Sequence, residues 1–160
     1  MKTLSDVFEH TLEDIYYAEN ALTKALPKAQ KAAQHPELKD ALSSHLGETK
    51  EHIKTLEKVF ETLGRGAAGE KCPAIEGLIE EADDVIGEAS DDARDAALIG
   101  CCQAIEHYEI SRYGSLREWA KVLGNTEAHD LLGTILDQEK AANNKLTHLA
   151  VSMVNQTADA

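Results

Sequence analysis

Apolar side chains return along this chain every three or four residues, the spacing of one face of an α-helix. In the first segment they fall at Phe8, Leu12, Ile15, Leu22 and Leu26. Thr3, with Asp6 three residues on, has the form of a capping box and marks the helix start. Pro27 lies inside the pattern and is expected to kink the helix or end it early, and the segment closes at QHPE. Pro36 suits the first turn of a second helix and Glu37 suits its dipole. The second stripe runs Leu38, Leu42, Leu46, Thr49, Ile53, Leu56 and Phe60 until Gly64 stops it. GRGAAGEKCP then reads as a connecting loop.

Pro73 opens a shorter, acidic segment with one apolar side made by Ile75, Leu78, Ile79, Val85 and Ile86. Ser90, Asp91 and Asp92 start a third long helix that runs to about Leu123, with Gly124 as its stop. Asn125 or Thr126 caps a fourth, running to about Asn155, and the tail QTADA is expected to fray. Four long helices thus form two antiparallel hairpins, and the connection between them is long and carries its own helix. This loop pattern belongs to an all-α, ferritin-like four-helix bundle with a long crossover and a short fifth helix, a single domain over residues 1–160.

Placed on a heptad grid, the four seams carry acids among the apolar residues. Helix one reads Leu12, Ile15, Glu19, Leu22, Leu26, and helix two reads Leu38, Ala41, His45, Glu48, His52. The third long helix reads Ile99, Cys102, Glu106, Glu109, Tyr113, Leu116, and the fourth reads Leu132, Ile135, Glu139, Ala142, Leu146, Leu149. Each helix therefore points at least one carboxylate inward near its middle. An unpaired buried carboxylate costs roughly several kcal/mol, and the lysines at 24, 28, 31, 39, 50, 54 and 58 fall elsewhere.

Composition agrees with helices and narrows the function. Hydrophobic residues make up 42%, enough for a core, while aromatics at 4% are too few for a sandwich or barrel. The net charge of −13 repels phosphate, so neither nucleic acid nor an anionic membrane surface is an expected partner. Three cysteines, two of them adjacent, make no disulfide framework. The N-terminus has no signal-peptide pattern, and no run of about 18 apolar residues spans a membrane. A cytoplasmic location is expected.

A pair of metal ions would offset the inward carboxylates directly. Bundles of this kind hold two ions with one Glu from each of two helices and Glu-x-x-His pairs from the others. Here Glu48 is followed by His52 four residues on, Glu139 lacks a His three on, and Glu106-x-x-Glu109 supplies two acids. The expected ligands are Glu19, Glu48, Glu106 and Glu139, completed by Glu109 and His52. His45, Glu51 and His107 are left open. Oxygen-rich ligation suits iron or manganese. The alternative is a polar core in which buried Glu and His bond to Tyr16, Tyr17, Tyr108 or Tyr113 and no physiological metal binds.

The segments KCPAIEGLIEEADDVI and RDAALIGCCQAIEHYEISRYGSLREWAKVLG, with the order of the others around them, resemble the YciE/YciF family of ferritin-like stress proteins over nearly the whole chain. The resemblance implies a ferritin-like bundle, a homodimer, a di-metal centre and a link to bacterial stress responses, with no established reaction. Together these readings point to an iron or manganese protein that handles oxygen or peroxide under stress. Their rival is a non-enzymatic dimerising bundle.

Overall fold

The computed structural model describes residues 1–158, apart from the side chain of Thr157. Helix α1 spans Leu4–Ala32, α2 Pro36–Thr62, α3 Pro73–Glu88, α4 Asp91–Val122 and α5 Thr126–Leu149. A π-helical turn, Ala150–Val154, and a last short helix α6, Asn155–Ala158, follow. Within the hairpins α1 packs on α2 and α4 on α5; across them α1 packs on α4 and α2 on α5. These four contacts close a square, and α3 lies outside it against α4 and α1.

The helix ends follow from local chemistry. The Thr3 hydroxyl accepts from the Asp6 N–H while the Asp6 carboxylate accepts from the Thr3 N–H, a complete capping box. Gly64 and Gly124 sit at φ 71° and 76°, where a residue without Cβ carries no strain. At each, the next residue's N–H returns to a carbonyl in the helix, Arg65 to Phe60 and Asn125 to Ala120. Asn125 caps α5, accepting from the Ala128 N–H, and its own amide donates to Thr62 Oγ1 at 2.7 Å. One residue therefore ties the end of α2 to the start of α5.

The opposite end of the bundle has its own tie. Asp95, on the second turn of α4, accepts from the backbone N–H groups of Gln34 and His35 at 2.8 and 2.6 Å. The starts of α2 and α4 therefore lie together, so these two helices run parallel. The crossover through α3 exists to return the chain along the bundle.

Of the two outcomes expected at Pro27 the early end does not occur, and the extent of the fourth long helix is corrected. Helix α1 passes through Pro27 and reaches Ala32. Pro27 is exposed, while Leu22 and Leu26 anchor the helix inside. The fourth long helix is α-helical only to Leu149, after which the chain widens into the π turn and buries Ala150 and Val154. Of the tail expected to fray, residues 156–158 are helical and the last two lie outside the described residues. No helix among the described residues is long and apolar enough to cross a membrane.

Because Asp95 holds two helix-start N–H groups from a second hairpin, Asp95→Ala leaves both without their acceptor. A destabilisation of about 1–3 kcal/mol is expected in urea melts, and a change below about 0.5 kcal/mol would show that this tie does not hold the hairpins in register.

Candidate metal centre

The packed ends leave a polar layer in the middle of the bundle. One end is filled by residues such as Phe8, Phe60, Leu116 and Leu132, and the other by Leu26, Leu38, Leu98 and Leu149. Between them Glu19, His45, Thr49, His52, Glu106, Glu109 and Glu139 are all buried, and no Lys or Arg is among the buried described residues. The acids are drawn inward by their neighbours on the seam. Glu19 lies between Ile15 and Leu22, and Glu109 between Ile105 and Tyr113, all of them buried.

The layer resolves into two groups that share one residue. Ligand atoms of His45, Glu106, Glu109 and Glu139 lie within 4.8 Å of one another, and so do those of Glu19, His52 and Glu139. Glu139 Oε1 is 3.1 Å from His52 Nδ1, and that nitrogen is 3.3 Å from Glu19 Oε1. On the other side Glu139 Oε2 is 3.9 Å from His45 Nε2, which is 3.1 Å from Glu106 Oε1. The two oxygens of Glu139 thus face the two groups.

Most of these atoms have no hydrogen-bond partner. Both oxygens of Glu109, both of Glu139, Oε2 of Glu19, Oε2 of Glu106 and Nδ1 of His52 are buried and unpartnered. His52 Nδ1 is near two carboxylates but aligned for a hydrogen bond with neither. Native interiors leave only a few such groups per hundred residues, so seven of them at one level mark a place suited to a ligand. The Tyr113 hydroxyl donates to Glu19 Oε1 in a short contact, the one clear internal bond of the layer's acids.

Each histidine is held from behind. His52 Nε2 lies 3.1 Å from Gln138 Oε1, and since that oxygen only accepts, Nε2 carries the proton and Nδ1 is the free nitrogen in the neutral ring. His45 Nδ1 lies 3.5 Å from Glu48 Oε2, which leaves Nε2 facing Glu106 and Glu139. An imidazole fixed by an outer acceptor while its lone pair faces carboxylates is the usual setting of a metal-bound histidine.

Six residues were expected to meet here. Glu19, His52, Glu106, Glu109 and Glu139 are buried together, whereas Glu48 is not. Its side chain is 42% exposed and touches the cluster only through His45. The reason is helical register. From His45 the inward face of α2 steps to Thr49 and then His52, so position 48 falls to the flank. His45, left open by the sequence, takes the inward place. Gln138 was missed, because a Gln on the outer face of α5 carries no signal of its reach to His52. Glu51 is paired with Lys54 at the surface, and His107 is exposed with Nδ1 on the Gln103 carbonyl.

Without a cation, protons must balance the layer. Burial raises Glu106 from 4.5 to about 8 and lifts Glu109 well above the carboxylate range. Burial likewise raises Glu19, against the opposing pull of His52. Burial alone would lower the two imidazoles. Contact with Glu48, Glu106 and Glu139 instead raises His45 to about 9, and contact with Glu139 and Glu19 raises His52 to about 10. The exposed Glu48 moves the other way, lowered first by its bond to His45.

The donor set therefore fits a metal ion. It offers carboxylate oxygens and neutral imidazole nitrogens, buried, converging and unpartnered, with outer groups that fix the rings. A family model described as "Domain of unknown function (DUF892)" matches residues 3–159.

The chain belongs to this family.

Protein YciF of Escherichia coli (strain K12) is 45% identical over 161 residues, covering 99% of this chain and 97% of that protein. The crystal structure of the E. coli stress protein YciF superposes with a TM-score of 0.92, covering 98% of this chain and 99% of that one. YcfI of Rhodopseudomonas palustris, described as a candidate structural protein, is 49% identical with a TM-score of 0.89, over 91% and 94% of the two chains. A protein from Xanthomonas campestris pv. campestris, 21% identical over 98% and 96% of the chains with a TM-score of 0.75, shares the fold.

The raised values fix the pH dependence of the metal-free protein. A group whose folded value lies above its unfolded one contributes stability that is present at low pH and lost as pH rises through the folded value. For Glu106 this window runs from 4.5 to about 8, and for His45 from 6.5 to about 9. Metal-free protein is expected to melt at progressively lower temperature between pH 6 and pH 9. Glu106→Gln, which removes one titrating group, should flatten that slope; an equal slope in the variant would show that Glu106 does not titrate in this window.

Proposed function

We propose that the chain is a ferritin-like carboxylate protein that holds two iron or manganese ions and serves a bacterial stress response by handling oxygen or peroxide. The observation that carries this is Glu139, a wholly buried carboxylate with two unpartnered oxygens, one facing Glu19 and His52 and the other facing His45 and Glu106. A carboxylate so placed bridges two adjacent positions. Glu19 and His52 would hold one ion, and His45, Glu106 and Glu109 the other. The stress role rests on the similarity to YciF, which is described as a stress protein.

Two such ions, when bound, would supply redox chemistry toward dioxygen or peroxide. The chain's own residues do the rest. Four carboxylates match the charge of two divalent ions, so the loaded layer is electrically neutral in a low-dielectric interior. Gln138 and Glu48 keep the imidazoles in the right tautomer. Tyr113, wholly buried, keeps its proton because burial and the neighbouring carboxylates raise it well above the usual phenol range, and it holds Glu19 in place. The Leu, Ile and Phe layers above and below exclude water. The homodimer implied by the resemblance belongs to the same proposal and is read by light scattering.

The second reading is a proton-sharing polar core, favoured by the Tyr113–Glu19 bond and the raised Glu106 and Glu109. One substitution separates the two. Glu106→Gln keeps the shape and removes a ligand charge. Under the metal reading, bound iron or manganese falls in elemental analysis while metal-free stability holds or rises. Under the rival, metal-free stability drops by about 1–3 kcal/mol and metal content does not change.

Mass action gives a further check. A ligand that binds only the folded state at about 100 times its Kd adds about 2.7 kcal/mol, so saturating Mn(II) or anaerobic Fe(II) should raise the melting midpoint. The rise should grow from pH 6 to pH 8, because the ions displace protons. Glu109→Gln should abolish it, whereas Glu48→Gln, which touches no ion, should only reduce it. Superimposable melts with and without saturating metal would refute the metal reading.

A further inference from the structure

The polar layer is open on one side. Next to His45 and Glu106, inside the square of α1, α2, α4 and α5, lies a cavity of about 170 Å3. Leu22, Leu26, Leu42, Ile105 and Leu146 wall it, all buried. It exists because three positions facing it, Ala41, Cys102 and Ala142, are small where a bundle would be filled by leucine. Its mouth lies between α2 and α5, at Ser44, Glu48, Ala141 and Lys145.

Protein interiors keep few voids larger than a water molecule. An engineered apolar cavity of about 150 Å3 in another protein stays dry and binds benzene, so this one is of a size to hold a small organic molecule. Its chemistry sets the class. The walls are aliphatic, which disfavours any charged body. The inner end holds Glu106, nearly fully buried, whose Oε2 has no hydrogen-bond partner. Whether or not Glu106 carries a proton on its other oxygen, Oε2 is free to accept from an O–H donor, and an anion there would meet Glu106 and Glu139 at close range. Glu48 and Lys145 carry opposite charges at the mouth, so the entrance selects neither sign.

We infer that this cavity is a binding site for a small neutral apolar alcohol, its hydrocarbon body against the leucines and its hydroxyl donating to Glu106 at the edge of the cluster. The site goes beyond the metal proposal and does not require it, since the cavity is formed by the metal-free fold, although the hydroxyl would share Glu106 with any ion held there. A molecule seated there would nonetheless present its hydroxyl carbon to the His45 half of the layer.

The test uses metal-free full-length protein, so that failure of metal binding cannot be mistaken for failure of this inference. Benzyl alcohol is titrated by calorimetry, with toluene as the probe lacking a hydroxyl and benzoate as the anionic one. Benzyl alcohol is expected to bind more tightly than toluene, and benzoate not at all. Ala142→Leu, which fills the cavity, should weaken benzyl alcohol by about tenfold or more, the equivalent of about 1.4 kcal/mol. Ala41→Val is the milder filling variant should the first not fold by circular dichroism, and it should act in the same direction. Ala25→Leu, in the surface groove between α1 and α3, should leave binding unchanged. Glu106→Leu should erase the preference for the alcohol over toluene. No binding up to the solubility limit, or equal binding to wild type and both filled variants, would overturn the assignment.

Discussion

The structure depends on one constraint: four carboxylates lie inside a helix bundle with no lysine or arginine among its buried described residues. Each buried ion carries a penalty of several kcal/mol, while a whole domain is stable by roughly 5–15 kcal/mol. Four bare charges cannot persist there, so the layer must be balanced by protons or by metal ions. Both solutions are written into the same atoms. Glu106, Glu109, His45 and His52 are all shifted toward their protonated forms, and the atoms that would carry those protons are the ones that converge into two groups. A metal ion held by these atoms would have to displace the protons from them.

The bundle is organised to hold that layer at one height. Four helices contribute to it, so an axial slip of one helix by a single turn, about 5.4 Å, would remove its acid or histidine from the cluster. Ties at the two ends oppose such a slip. Asn125 joins α2 to α5 beyond one apolar end, and Asp95 joins the α1–α2 turn to α4 beyond the other. Both bind hairpin to hairpin, the contact that short loops cannot fix. The apolar layers between ties and cluster supply the stability that the polar layer lacks.

What the sequence revealed follows from how local each determinant is. Helix starts and stops were legible because a capping box, an N1 proline or a C′ glycine acts within a few residues. Pro27 does not end the helix, because an exposed proline removes a hydrogen bond that water can replace. The inward acids Glu19, Glu106, Glu109 and Glu139 were legible because their seam neighbours are apolar on both sides. On α2 the face is ambiguous, since position 48 and position 49 compete for the same inward slot and a strict heptad grid drifts from a 3.6-residue turn. The structure resolves it for Thr49, which brings His45 inward and leaves Glu48 behind it. Gln138 acts through a side chain reaching across to α2, a contact that no periodicity encodes.

The same register makes the two halves of the layer unequal. His52 is backed by an amide oxygen, lies 1% exposed, and is enclosed with Glu19 and Tyr113. His45 is backed by a carboxylate, is 8% exposed, and borders the cavity between α2 and α5. The carboxylates around them raise both rings, His52 to about 10 and His45 to about 9, and an open side admits small molecules that a sealed one excludes. One half is thus sealed and the other borders an opening. Glu139, facing both, couples them: any change in charge on the His45 side is felt at Glu19 and His52 through the carboxylate they share.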